Sequence, residues 1–376
     1  MELRNKTILI LSPQAWGKMF LSKHHYAVEL AKRGNKVYFL NPPEQTKVFF
    51  FDRFKFQQVN NSLTVIDHQL FFPYWLKFKW PFAFRMLMKR HIKYLLTQVE
   101  PVDVVWSFDI GHLYPFSHFK KGIKIFHPVD EPRTDEAITA AKGAQIIFSV
   151  TPEILEKYHS YNVPRILIPH GVSHEFIADE LPSGYVPNNP LQVGISGNLL
   201  RPDIDRKTLQ QIIQDHQNII FNFWGSYQLG ESNIGGAADR ATTDFINFLR
   251  AAGNVRLHGV VPSGKLADAI KNMDAFLICY DVQKDQSKGT NYHKVMEYLG
   301  TGRVVISNNI TTYKDTGLIE MCRSRENNDE MPALFEQVIQ SLEQYNSKTR
   351  QQARKSFARN NTYAKQVDRI EKELNA

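Results

Sequence analysis

Short runs of continuous apolar, mostly β-branched residues recur along this chain, and helical stretches fall between them. That alternation constrains the fold more than any other feature. Residues 7–12 read as a strand and 22–33 as a helix ended by Gly34. The next strand, 36–41, stops at Pro42 and Pro43, and 63–67 is a short third. A helical stripe covers 82–99, and the strand at 102–107 is apolar as expected of one buried on both faces. Strands at 123–127, 145–149 and 165–168 follow. Thr151 and Pro152 read as an N-cap with proline at the first helical position. Strands alternating with helices build parallel sheets covered by helices.

A second series begins after residues 181–190, where Pro182, Pro187, Pro190, Gly184, Asn188 and Asn189 crowd together as in a linker. Strands are expected at 191–196, 219–224, 255–257, 275–280 and 304–307, and helices at 205–215, 242–252, 263–272 and 292–300. Helices near 331–346, 348–359 and 361–374 close the chain. The reading is α/β: two doubly wound domains, 1–180 and 181–376. Open parallel sheets bind ligands at the carboxyl ends of their strands, so the expected site is a cleft between the domains. The only two cysteines, Cys279 and Cys322, form no disulfide framework and have no metal-binding spacing.

The net charge of +8 is uneven. Residues 1–99 carry 16 basic and 5 acidic side chains, 100–176 carry 7 and 10, and the remainder 23 of each. A nucleic-acid coat would spread its charge more evenly, so no nucleic-acid partner is expected. From His68 to Val99 no acid occurs, while Lys77, Lys79, Arg85, Lys89, Arg90 and Lys93 do, and nine aromatics crowd 71–96. Phe84, Met88, Ile92 and Leu95 share one helical stripe. The expectation is that this stripe faces the core and the aromatics of 71–82 face an anionic membrane surface, making 71–96 the lipid-facing segment. No run reaches the ~18 apolar residues of a spanning helix. The run at 7–11 is read as a buried strand, not a targeting segment.

Four sets of residues carry chemistry. Lys294 and Glu297, three apart, share one face near a helix start. The preceding loop, 287–291, contains Gly289, Thr290 and Asn291, and a helix N-terminus after such a loop is an anion site. Lys294 adds a point charge for phosphate. Glu297 offers two oxygens to adjacent hydroxyls such as those of a ribose. The plain alternative is a surface Lys–Glu pair. At 11–25, Gly17, Lys23, His24 and His25 sit at a strand–helix junction, where amides and Lys23 would face a diphosphate. The alternative is that Lys23 and one histidine are exposed helix residues. In 127–132, an acid at the carboxyl end of a strand can take a proton from a hydroxyl. Asp130 is the first candidate, Glu131 the second and Asp109 a weaker rival. Asp130 would otherwise be a turn acid before a helix at 134–142. Beyond Leu200, Arg201 is placed to reach a phosphate, and Asp205 reads as a helix cap.

Segment 294–307 resembles the donor-binding signature of glycosyltransferases with the GT-B fold. Segment 254–278 resembles the strand, Gly loop and helix that flank their nucleobase, and 194–200 their phosphate loop. Residues 168–172 resemble the Asn-Gly-Val turn ending their first domain. The N-terminal strand, loop and helix through Pro43 resemble bacterial family-4-like members of the teichuronic or capsule type. The resemblance runs in order through nearly the whole chain.

It implies two Rossmann-like domains and hexosyl transfer from a nucleotide diphosphate sugar, such as a UDP- or GDP-sugar. The acceptor would be a lipid-linked cell-surface polysaccharide, capsule or exopolysaccharide, and the protein would be cytoplasmic and peripheral at the inner membrane face. Gly197, Asn198, Arg201, Gly259, Val260 and Val261 would bind donor in the second domain, together with Thr290, Asn291, Lys294 and Glu297. Gly17 and Lys23 would add donor contacts from the first. His24, His25 and Asp109 are acceptor-side candidates, and Asp130 or Glu131 the base. No metal and no resident cofactor are implied, and the final helix would return to the first domain. Two positions depart from the family pattern. Eight residues before Glu297, where many members carry a second Glu, stands Gly289, and His170 replaces Asn. An epimerase of the same fold and a non-catalytic membrane-surface protein are the alternative readings.

Overall fold

The apolar runs become strands, and parallel pairing dominates both sheets. The computed structural model describes residues 2–44, 53–179, 185–230, 239–285 and 291–375. Its first unit comprises Met1–Trp16, Leu21–Pro169 and Val367–Ala376. The strands of that unit are β1 (Thr7–Leu11), β2 (Lys36–Leu40), β3 (Phe54–Asn60), β4 (Leu63–His68), β5 (Val104–Ser107), β6 (Ile123–Phe126), β7 (Ile146–Ser149) and β8 (Arg165–Leu167). They lie in the order β3-β4-β2-β1-β5-β6-β7-β8. Central β1 pairs in parallel with both neighbours, Ile8 lying opposite Val37 and Val104, and Ile8 through Leu11 are fully buried. The helices are α1 (Ser22–Lys32), α2 (Leu76–Lys79), α3 (Pro81–Gln98), α4 (Asp135–Thr139) and α5 (Pro152–Glu156). Phe84, Met88, Ile92 and Leu95 of α3 join the core with Leu9, Val105 and Ile147. Thr151 caps α5, its side chain accepting from the Ile154 amide, with Pro152 in the first turn.

Strand β3 has no counterpart in the apolar pattern. It is antiparallel to β4, and six of its seven residues are exposed. An edge strand that buries almost nothing leaves no hydrophobic signature.

The second unit comprises Gly17–Phe20 and His170–Gln366. Its strands are β9 (Leu191–Ser196), β10 (Ile219–Trp224), β11 (Val255–Gly259), β12 (Ala275–Ile278), β13 (Val304–Ser307) and β14 (Glu320–Met321). All pair in parallel, in the order β11-β10-β9-β12-β13-β14. That is the strand order of a dinucleotide-type doubly wound sheet. The helices are α6 (Arg206–Asp215), α7 (Arg240–Ala251), α8 (Ser263–Ile270), α9 (His293–Thr301), α10 (Met331–Gln340), α11 (Leu342–Tyr345), α12 (Lys348–Asn360) and α13 (Tyr363–Asn375).

The division falls at Pro169, ahead of the Pro-rich stretch. The residues in between are held by the second unit. Val172 exchanges main-chain hydrogen bonds with Asn361 and Tyr363, and the Ala178 amide donates to the Gly300 carbonyl. From Val367 onward, α13 belongs to the first unit. There Arg33 pairs with Asp368 at 2.8 Å and with Glu371 at 3.1 Å, and the Leu3 amide donates to Glu371 Oε1 at 2.7 Å. Among the described residues no helix is long and apolar enough to cross a membrane.

Candidate functional site

In the second unit, the loops that follow β9, β10 and β11 are tied to one another by their backbones. The Gly197 amide donates to the Trp224 carbonyl at 2.8 Å, Leu199 to Ser226 at 2.9 Å, and Gly225 to Gly259 at 2.8 Å. Glycine is required where these loops meet. A Cβ on Gly225, whose φ is +137°, would lie 1.7 Å from the Gly197 carbonyl oxygen. A Cβ on Gly197, at φ +140°, would meet Lys294 Nζ at 2.5 Å. Asn198 closes the first loop through its side-chain oxygen, which accepts from the Leu200 amide at 3.0 Å. Val260 and Val261, half-buried, follow β11.

Helix α9 carries Lys294 into this cluster. Its ammonium donates to the Ser196 carbonyl and to the Tyr280 hydroxyl, the latter at 2.6 Å. No acid stands in the first turn of α9, and among the described residues no side chain caps it. A small hollow opens here, lined among others by Ser196, Gly197, Asn198, Ile278, Tyr280 and Lys294. Asn291 is buried just before the helix. Thr290 and Gly289 lie outside the described residues.

Glu297 is only 8% exposed. Burial pushes its carboxyl up to about 7, with Lys294 pulling it back. Its neighbour Tyr298 locks α9 to β9: the Ser196 amide donates to its hydroxyl at 2.7 Å, and its ring stacks on Phe276 at 4.1 Å. Arg201 is differently placed from Lys294. It is bound by Asp203, with Nε to Oδ1 at 2.8 Å, and by Asp285 at 3.3 Å. Asp205 caps α6 by accepting from the Thr208 amide.

In the first unit the candidates gather past the carboxyl ends of β1, β5 and β6. Lys23 is 1% exposed and donates to Gln14. Burial lowers its pKa to about 8, against the pull of first Asp130 and then Asp109. An exposed Lys23 is therefore excluded. His24 is also fully buried, and its ring nitrogens engage the main chain: Nδ1 accepts from the Leu21 amide at 2.9 Å and Nε2 lies 3.1 Å from the Ala15 carbonyl. Burial drives its pKa down to about 3, and that of buried His25 to about 4. Gly17 falls among the residues of the second unit. Asp130 is half-buried. Glu131 lies 3.9 Å from Lys157. Asp109 accepts from the Gly111 and Leu113 amides at 2.8 and 2.7 Å, and burial, the dominant influence, raises its pKa.

Sequence reading missed Gln14, Tyr280 and Tyr298. An aromatic at the end of an apolar strand was the one available signal for Tyr280.

Segment 71–86, which runs through α2 into α3, divides its apolar residues. Phe72, Leu76 and Phe84 are buried, whereas Trp75, Phe78, Trp80, Phe82 and Met86 are each more than half exposed. The exposed aromatic set is thus narrower than 71–82. Lys79, Arg85, Lys89, Arg90 and Lys93 are exposed beside it. Lys77 is instead engaged by the Gly111 carbonyl at 2.7 Å and Glu136 at 3.3 Å.

Two Rossmann-like units with parallel sheets define the GT-B fold class. Solved structures of that class match nearly end to end. The sucrose-phosphate synthase from Thermosynechococcus elongatus is 12% identical over 98% of this chain and 99% of its own, at a TM-score of 0.71. The Anabaena protein HepE, solved in complex with UDP and glucose, is 11% identical over 99% and 100%, at 0.67. The lipopolysaccharide outer core galactosyltransferase WaaB, in its apo form, is 12% identical over 98% and 99%, at 0.61. At these identities the likeness is one of fold. No protein-family model matches the chain, and no curated protein matches it by sequence.

Proposed function

We propose that this chain is a glycosyltransferase that moves a sugar from a nucleoside diphosphate sugar to a lipid-linked surface glycan, working as a peripheral protein on the cytoplasmic face of an anionic membrane. The observation that carries the reading is the Lys294 ammonium. It is buried at the carboxyl edge of a doubly wound sheet, beside a glycine backbone and a helix N-terminus, and its hydrogen bonds go to neutral oxygens. A phosphate is the group such a place accepts. Glu297 would take the ribose hydroxyls, and the Gly259–Val261 backbone the base. A structural neighbour agrees in kind, since HepE was solved with UDP and glucose. WaaB, named for lipopolysaccharide, supports a lipid-linked glycan as acceptor.

Asp130 would act as the base, with Lys23 as the cation behind it. The donor is a substrate, and the reading invokes neither a resident cofactor nor a metal. Support of the departing diphosphate by Lys294 and the α9 amides would be the main catalytic effect. The exposed aromatics of α2 and α3, flanked by cations, would seat the protein on lipid.

Isothermal titration with UDP and GDP tests the donor assignment. One of them is expected to bind, and Glu297→Ala to weaken it. Binding of neither, or an unchanged Glu297→Ala variant, removes the assignment. In the same preparation Asp130→Asn should keep nucleotide affinity and lose turnover by orders of magnitude; full turnover would exclude Asp130 as the base.

A further inference from the structure

Arg201 and Lys294 approach the same aromatic ring. The Arg201 guanidinium lies 5.3 Å from the centre of the Tyr280 ring and the Lys294 ammonium 4.9 Å. Their situations are opposite. Arg201 is held by Asp203 and Asp285, two carboxylates that are themselves buried. Among the described residues, the Lys294 ammonium has only the Ser196 carbonyl and the Tyr280 hydroxyl as hydrogen-bond partners. An ammonium has three donors, so one N–H is left over.

Tyr280 has a donor left over as well. A phenol oxygen that accepts from an ammonium still carries its own proton. Among the described residues the Tyr280 hydroxyl has Lys294 as its hydrogen-bond partner and no acceptor for that proton, although the residue is only 7% exposed. A buried donor left without an acceptor is destabilising, so one facing a hollow is a place where a ligand oxygen fits. Tyr280 and Lys294 both line the hollow beside Gly197. One charged and one neutral donor therefore converge near the start of α9.

We propose that Tyr280 is a direct ligand of the donor diphosphate, its hydroxyl donating to a phosphate oxygen beside the free N–H of Lys294. This rests on the donor reading of the second unit and adds a contact that reading does not contain. It also gives Arg201 a different part. Held by two carboxylates, Arg201 steadies the ring from which Tyr280 reaches the phosphate, and does not touch the phosphate itself. The hydroxyl acts twice, fixing the Lys294 ammonium and supplying a second hydrogen bond to the anion.

The test compares the native chain, Tyr280→Phe and Lys294→Met by isothermal titration with UDP, GDP, the two parent nucleosides and inorganic pyrophosphate. Tyr280→Phe keeps the ring beside the two cations and removes one oxygen, and a thermal scan confirms that it folds. Affinity for the diphosphate and for pyrophosphate should fall roughly ten- to hundredfold, the range for a hydrogen bond to a charged group. Affinity for the nucleoside should stay within about twofold, since the base and ribose contacts are untouched. In the Lys294→Met background the loss from Tyr280→Phe should shrink, because the two donors share one anion. An unchanged diphosphate affinity in Tyr280→Phe overturns the proposal and leaves the donor reading standing. An equal fall for nucleoside and diphosphate also overturns it, because that pattern belongs to a structural role. Pyrophosphate binding that depends on Tyr280, with no nucleotide bound, supports the anion seat and removes the donor reading.

Discussion

Glu297 shows how burial of a single carboxylate makes stability depend on pH. Its folded pKa, about 7, lies above the ordinary value of 4.5. The folded state therefore holds the proton more tightly than the unfolded chain does. Below pH 4.5 both states are protonated and the residue costs nothing. Between pH 4.5 and 7 the fold loses stability as the unfolded chain releases its proton first, and above 7 the loss levels off at a magnitude on the order of 3 kcal/mol. Glu297→Gln keeps the shape and removes the titration. Denaturant melts at pH 8 should find the variant more stable than the native chain, with the difference nearly gone at pH 4.5. A difference that does not change with pH would show that Glu297 does not titrate as described. In the proposed role the ionised carboxylate accepts two ribose hydroxyls, so nucleotide affinity should rise more steeply through pH 7 in the native chain than in the variant. That Lys294 and Glu297 share one helix face was legible in the sequence, because residues three apart do so; their site role came only from the resemblance. Tyr280 was not legible, because only the folded turn after β12 brings its hydroxyl to the Lys294 ammonium.

At the level of the element, α3 obeys two demands that its sequence states separately. The stripe Phe84, Met88, Ile92 and Leu95 is buried to 3% exposure or less, as its period requires. Phe78 and Phe82, at 70% and 71% exposed, have no such demand. Nearby Lys79 lies over the Trp75 ring at 5.8 Å, so the patch mixes aromatic faces with cations. An apolar patch left in water marks a contact surface, and cations among aromatics suit the headgroup region of an anionic bilayer. Flotation with vesicles rich in phosphatidylglycerol should carry the native chain upward. Phe78→Ser combined with Phe82→Ser should leave it at the bottom with little change in melting temperature, since both rings are largely exposed. Equal recovery with zwitterionic vesicles would remove the electrostatic part of this reading. Recovery of the double variant at the native level would remove the aromatic part. Strand β3 is the opposite case. It forms by pairing with β4 and buries little, so no pattern of side chains announced it.

At the scale of the whole molecule, the alternation of strands and helices foretold both sheets because buried parallel strands must be apolar along their whole length. The boundary between units was less legible. Prolines and asparagines mark where a chain turns, but compactness is decided by contacts, and the residues just after Pro169 bond to Asn361, Tyr363 and Gly300. The last helix makes the same point from the other end of the chain. Its segment Val367–Ala376 belongs to the unit built from the first residues. Val367 and Ile370 are fully buried, and Arg33 binds Asp368 and Glu371 from that segment. Ending the chain at Gln366 would remove two buried aliphatic side chains, a loss of roughly 3–6 kcal/mol. It would also remove the ion pairs of Arg33 with Asp368 and Glu371, keeping the one with Glu29. The loss should fall on one unit. In hydrogen exchange of the shortened chain, amides of β1 and β2 should lose protection by orders of magnitude, while those of β9 and β10, whose unit keeps all its residues, should exchange as before. Equal loss in both sheets would mean that the two units unfold as one. Unchanged protection of β1 would mean that these ten residues do not hold the first sheet together.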